Sequence, residues 1–278
     1  DVNAIGTDVA ELKWNNIRNI QLNSSEKKYA VYRGINSIFS HIADVIDTTY
    51  IDSLNYCGQM VNYYVSIRDT NLLDSNNIKS TCESTSNLDS NYFYDTTPPS
   101  GPYIDSVSVM GNEMIIGWDS VKAGDLKWYY IYKIDKGYPV LIDSTLNLFY
   151  KTMDFGCQDT FSISAIDSCK NESALSPYHN LINPTAFSDN KNNKIILSWN
   201  SYINFPNGLN QYTIFYKVSG GAYDSLTSVT TTQYTHSNLL DSAMYCYYIV
   251  ARDNVNSSTS CVVCQFISKP TFFIPSAF

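Results

Sequence analysis

Tyr129-Tyr130-Ile131-Tyr132-Lys133 decides the fold, because the chain writes this stretch three times. The other copies are Tyr29-Ala30-Val31-Tyr32-Arg33 and Tyr212-Thr213-Ile214-Phe215-Tyr216. Their period of two belongs to a strand with one buried face. Upstream, each copy has a Trp closing an alternating strand: Val9-x-Glu11-x-Lys13-Trp14, Met114-Ile115-Ile116-Gly117-Trp118 and Ile195-Ile196-Leu197-Ser198-Trp199. Downstream, each has a second alternating strand that ends in Asp: Tyr63-x-Val65-x-Ile67-x-Asp69, Phe161-x-Ile163-x-Ala165-x-Asp167 and Tyr247-x-Ile249-x-Ala251-x-Asp253. A repeat on this scale sets the architecture before any other argument.

The spacing sets the size of the unit. Trp14 and Trp118 lie 104 residues apart, and Trp118 and Trp199 lie 81 apart. A unit of about 80–100 residues buries one sandwich core and no second layer. Helical periodicity is absent. Turn signals recur at Asp135-Lys136-Gly137, Asn207-Gly208 and Gly220-Gly221. The stiff link Asp95-Thr96-Thr97-Pro98-Pro99 closes the first unit, since two prolines cannot continue a central strand. Asp105 precedes Trp118 by 13 residues, as Asp1 precedes Trp14, so the first unit is expected to include its first strand. The second link lies near Pro184. The expected fold is all-β, with three tandem sandwiches over 1–96, 97–183 and 184–268, and a tail over 269–278.

Composition narrows the partners. Aromatics make up 14% of the chain and charged residues 16%, with a net charge of −8. Nucleic-acid phosphates and anionic membrane surfaces call for Lys and Arg in excess, so neither is an expected partner. No apolar run is long enough to span a bilayer. The residues from Asp1 lack a signal-peptide pattern. Export would therefore need a signal removed from this sequence or lying outside it.

Seven cysteines in a chain of short β-units indicate an oxidising compartment. Hairpin logic pairs Cys57 with Cys82, and Cys246 with Cys264 around the turn Asn254–Ser258. Cys261 competes for Cys264. Cys157 and Cys169 bracket a straight strand, so they cannot meet each other and have no assigned partner. Zinc at Cys261-x-x-Cys264 is disfavoured, because no second Cys/His pair stands nearby.

No catalytic set emerges. His41, His179 and His236 have no ligand-like spacing. There is no nucleophile elbow, no phosphate-binding glycine loop and no distinct carboxylate pair. Asp69, Asp74, Asp167 and Asp253 gather near late-strand turns, but their spacing fits no ordered calcium loop. Tyr32, Tyr64, Tyr130, Tyr132 and Tyr248 are expected to point outward. They could stack a sugar, but cross-strand packing is the favoured reading. No metal and no cofactor is expected.

With these strands placed, the repeats resemble fibronectin type III domains, which implies Ig-like seven-stranded sandwiches over residues 1–268 with each Trp between the sheets. No Arg-Gly-Asp triplet is present, so an integrin-type loop is not supported. The last residues, Phe273-Ile274-Pro275-Ser276-Ala277-Phe278, resemble the opening of the gliding-motility-associated C-terminal domain, the type B sorting domain of the type IX secretion system. The turn Ser168-Cys169-Lys170-Asn171-Glu172-Ser173 fits the same setting. This resemblance implies a secreted or cell-surface protein, delivered by secretion machinery through a sorting domain beyond Phe278. Asp followed by Ser or Thr is similar to the O-glycosylation acceptor pattern of exported Bacteroidetes proteins, and gives candidate sites at Thr48, Ser53, Thr96, Ser106, Ser120, Ser144, Ser225 and Ser242. Asp with Ser or Thr also makes turns and bulges. The expected function is a non-enzymatic stalk or interaction region. The alternatives are an adhesin-type glycan- or protein-binding module and an accessory region of a secreted hydrolase.

Overall fold

The computed structural model describes residues 1–4, 8–17, 28–73 and 79–268. Every regular element among them is a β-strand. The chain divides into two compact units, Asp1–Pro98 with Asp167–Asn171, and Pro99–Ile166 with Glu172–Phe278.

The first unit holds β1 (Val2–Ala4), β2 (Val9–Lys13), β3 (Tyr29–Ile35), β4 (Ile38–Val45), β5 (Thr49–Ser53), β6 (Cys57–Leu73), β7 (Lys79–Thr85) and β8 (Asp89–Tyr94). One sheet has the order β1-β2-β5, and the other β4-β3-β6-β7 with β8 also on β6. The second unit contains two such sandwiches. In one, β9 (Ile104–Met110), β10 (Glu113–Trp118) and β13 (Phe149–Thr152) form the sheet β13-β10-β9. Its other sheet is β12-β11-β14-β15, from β11 (Leu126–Asp135), β12 (Tyr138–Thr145), β14 (Thr160–Asp167) and β15 (His179–Asn180). In the last sandwich, β16 (Thr185–Asp189), β17 (Lys194–Ser198) and β20 (Gln233–Ser237) form β16-β17-β20. Facing it, β18 (Gln211–Val218), β19 (Asp224–Val229), β21 (Ala243–Arg252) and β22 (Ser257–Thr259) form β19-β18-β21-β22, with β23 (Val263–Ile267) also on β21.

The alternation read from the sequence sets the inward faces. Met114, Ile116 and Trp118 are buried from β10, Tyr129 and Ile131 from β11, and Phe161 and Ile163 from β14. The last sandwich buries Ile195, Leu197, Trp199, Tyr212, Ile214, Tyr247 and Ile249 in the same roles. The first buries Ala10, Leu12, Val31, Tyr63 and, in a small adjoining cluster, Tyr29, with Trp14 packed at the boundary. Each copy also carries a one-residue bulge at the same place, after Val31, Ile131 and Ile214. A bulge there increases the local twist of the edge hairpin.

One contact explains why the repeated strand begins with Tyr and not Phe. The Tyr29 hydroxyl accepts the Ile17 backbone N–H at 3.3 Å, Tyr129 accepts Val121 at 2.9 Å, and Tyr212 accepts Tyr202 at 3.0 Å. Each donor lies three residues past its Trp. The chain leaves the sheet there and its amide has no strand partner, so the phenol supplies the acceptor. Each Trp meets its Tyr ring edge-to-face at 5.5–5.6 Å. Each indole N–H is buried without a hydrogen-bond partner among the described residues.

One of the two hairpin pairings is replaced, and the two cysteines without an assigned partner, Cys157 and Cys169, are both bonded. Cys57 is bonded to Cys169, not to Cys82. The reason is the length of β6: Cys57 sits at its start opposite Tyr94, whereas Cys82 stands opposite Asp69. That is twelve residues along the strand, about 40 Å at 3.3 Å per residue. Cys82 is exposed and unbonded. Cys157 is bonded to Cys261, which removes Cys261 as a competitor. Cys246 faces Cys264 in register on adjacent strands and is bonded to it.

Candidate functional site

The residues with the most unusual surroundings lie where the second and third sandwiches join, inside the second compact unit. The connecting segment has no slack, since Leu181 is buried in one core and its neighbour Ile182 in the next. Cys261 follows β22 of the third sandwich but packs in the core of the second, bonded to Cys157. Its backbone N–H donates to the Ile182 carbonyl at 3.2 Å.

Polar contacts complete the joint. The buried Tyr202 hydroxyl accepts the Val107 N–H at 2.9 Å and lies 2.9 Å from His179 Nδ1. Ser258 Oγ donates to the Val107 carbonyl, and the Thr259 N–H donates to Ser108 Oγ. Asn180 Nδ2 donates to the Ser201 carbonyl, and Asn180 Oδ1 accepts the Ile203 N–H. Only 1% of His179 is exposed, and burial lowers its pKa to about 4. At neutral pH the imidazole is therefore uncharged. Burial likewise pushes the Tyr202 phenol up. Neither group is available to carry a proton to solvent; both hold two cores together.

Beside this joint opens a groove of about 440 Å³. Gln158, Thr160 and Asn180 line it from the second sandwich, and Asn183, Thr185, Ser198, Trp199 and Asn200 from the third. None of these side chains is charged.

The other residues singled out by sequence take structural positions. Asp253 Oδ1 accepts the Val255 and Asn256 N–H groups, and its second oxygen faces Asn207. Burial alone would raise this carboxyl, but the backbone and Asn207 donors together hold it below its ordinary value. Asp167 accepts the backbone N–H and the side-chain amide of Asn171, both at 2.8 Å. These aspartates close the late-strand turns. Asp74 lies outside the described residues.

Three of the five outward tyrosines, Tyr32, Tyr64 and Tyr248, stack across strands. Tyr32 stacks on Tyr64 at 4.6 Å, and Phe215 stacks on Tyr248 at 4.8 Å. Each ring thus covers one face of its partner. Tyr132 donates to Glu172, and burial and that carboxylate raise its phenol to about 12.

Of the candidate glycosylation positions, Ser53, Thr96, Ser120, Ser144, Ser225 and Ser242 are exposed, while Thr48 and Ser106 are half-buried. At Ser144, Ser225 and Ser242 the preceding Asp accepts the serine's own backbone N–H. The Phe273–Phe278 segment lies outside the described residues. The joint itself was not visible in the sequence. Its one signal was the pair of apolar residues Leu181-Ile182 just before Pro184.

Residues 185–261 match the family model described as PBP1-like, fibronectin3-like domain. A crystal structure of chicken CNTN1 FN1–FN3 domains aligns over 97% of this chain and 97% of its own length, with 12% identity and a TM-score of 0.30. No curated protein matches the chain. The fold is all-β, built of Ig-like, fibronectin type III-like sandwiches.

Proposed function

We propose that the chain is a non-enzymatic stalk or interaction region of a secreted or cell-surface protein, built as three sandwich domains over 1–96, 97–183 and 184–268. The observation that carries this reading is the joint. A buried linker and a disulfide from one sandwich into the next core make two domains a single stiff element, and stiffness is what a spacer needs. Three disulfides among the described residues agree with an extracellular setting. Delivery by the type IX secretion system rests on the terminal Phe-Ile-Pro-Ser-Ala-Phe, and attachment of O-glycans rests on the exposed Asp-Ser and Asp-Thr pairs.

Stiffness is measurable with spin labels at Ser120→Cys and Ser225→Cys in a Cys82→Ser background. A single narrow distance distribution is expected, and a broad one would overturn the stalk reading. Export is tested by protease shaving of intact source cells. Surface exposure should vanish when the type IX apparatus is disabled, and unchanged exposure would remove that route. An intact mass equal to the bare chain would dismiss glycosylation.

A further inference from the structure

We infer that the groove beside the joint is a binding site for a neutral saccharide. The argument is independent of the stalk reading, since a spacer needs no ligand. At about 440 Å³ the groove falls in the size range of small-molecule sites, roughly 300–1,000 Å³. Its lining selects a chemical class. With amides, hydroxyls and one indole and no charged side chain, it offers nothing to neutralise a phosphate, carboxylate or ammonium group. It does offer paired donors and acceptors, which suit a polyhydroxylated, uncharged ligand.

The lining divides into a fixed floor and free arms. Asn200 is locked: its Nδ2 donates to the Leu181 carbonyl at 2.9 Å and its Oδ1 accepts the Asn183 N–H at 2.7 Å. Thr185 Oγ1 pairs with Ser198 Oγ at 2.8 Å. By contrast, the side chains of Gln158, Thr160 and Asn183 have no hydrogen-bond partner among the described residues, and they come from both sandwiches. Gln158 directly follows Cys157, whose bond to Cys261 fixes one wall against the other. The free groups are thus presented on a frame that does not have to be ordered on binding, which lowers the cost of association.

The test is an amide-detected NMR titration of the full chain with neutral oligosaccharides of glucose, galactose, mannose and N-acetylglucosamine, alongside sialylated and sulfated controls. At least one neutral saccharide should shift the signals of residues 158–160, 183–185 and 198–200 together. The double variant Gln158→Ala/Asn183→Ala should weaken that binding by about tenfold or more, the effect of losing one or two hydrogen bonds, without changing the unfolding temperature. Four results would overturn the inference: no shift with any neutral saccharide at millimolar concentration, undiminished binding by the double variant, shifts mapping elsewhere, or preference for the anionic controls.

Discussion

The second and third sandwiches share their skeleton and differ at their edges, which separates what the repeat must keep from what it can vary. Both keep a Tyr whose hydroxyl accepts the amide three residues past the Trp, because that amide has no other acceptor in either copy. They diverge on the neighbouring strand of the same sheet. In the third, the Tyr247 hydroxyl lies 2.9 Å from His236 Nδ1 on the opposite sheet. In the second, Phe161 replaces the Tyr and has no hydroxyl to satisfy. The residue four before each Trp marks the same point on the facing sheet, with Met114 opposite Thr152 and Ile195 opposite His236. The first sandwich has a third solution, with Ala10 opposite Asp52 and Asp52 bound by both Tyr63 and Arg33. Hydrogen bonds that satisfy backbone recur, whereas polar contacts between two side chains are exchanged in pairs.

The disulfides give the largest test of this contrast. Cys157–Cys261 closes a span of 104 residues across two cores, while Cys246–Cys264 closes 18 within one sheet. On loop-closure entropy, the double serine variant of the first should cost about 4–5 kcal/mol and that of the second about 3 kcal/mol. Urea unfolding of both variants measures the difference. Equal costs would show that the joint adds nothing beyond a local hairpin bond.

Acid tests the joint next. The His179 pKa falls to about 4 when folded, from an ordinary 6.5. The unfolded chain therefore takes up a proton first as pH falls. The contribution of His179 is fully present above pH 6.5 and is lost between there and about 4, and it amounts to roughly 3 kcal/mol. Thermal unfolding should show this slope, and His179→Gln should flatten it. A slope unchanged by the substitution would place the acid sensitivity elsewhere.

Strand identity and inward faces were legible because alternation is a local property. The Trp and Tyr of each repeat announce themselves within a few residues. Partners that depend on strand length were not. Cys57 looked like a hairpin partner of Cys82, because nothing in the sequence says that β6 runs to Leu73 and receives β8 at one end and β7 at the other. The bond from Cys157 to Cys261 and the split of Leu181 and Ile182 between two cores depend on how one sandwich sits on the next, and no periodicity encodes that. The groove was hidden for the same reason: its residues are ordinary Asn, Gln and Thr until two domains bring them together.

The repeated hydroxyl and the exchanged one should differ in cost. Tyr129→Phe and Tyr212→Phe each strand a backbone N–H and should destabilise by about 1–3 kcal/mol, nearly equally. Tyr247→Phe removes one partner of His236, which is only half-buried and so is cheaper to leave unpaired than a buried backbone N–H, and should cost about 1 kcal/mol or less. Chemical unfolding of the three variants ranks them. A Tyr247→Phe cost above that of Tyr212→Phe would reverse the distinction between obligatory and exchangeable contacts.

The smallest stability effect is expected at the edge strands, where the two copies differ most in composition. Strand β19 reads Asp224-Ser225-Leu226-Thr227-Ser228, whereas β12 reads Tyr138-Pro139-Val140-Leu141-Ile142. In β12, Tyr138 is 74% exposed and Leu141 is 50% exposed. An apolar edge invites pairing with another chain, and Pro139 counters it. The two-residue turn Lys136-Gly137, both at positive φ, is closed by the pair Asp135 and Tyr138. The next pair, Ile134 with Pro139, is then of the type whose N–H groups face away from each other. Position 139 therefore points its nitrogen at solvent, where proline has no hydrogen to give. Pro139→Thr should leave stability within about 0.5 kcal/mol, because no internal hydrogen bond changes, yet it restores an outward donor on an apolar strand. Sedimentation velocity across a concentration series should then show dimers and larger species for the variant and none for the parent. A variant that stays monomeric would mean that β12 is protected by something other than its proline.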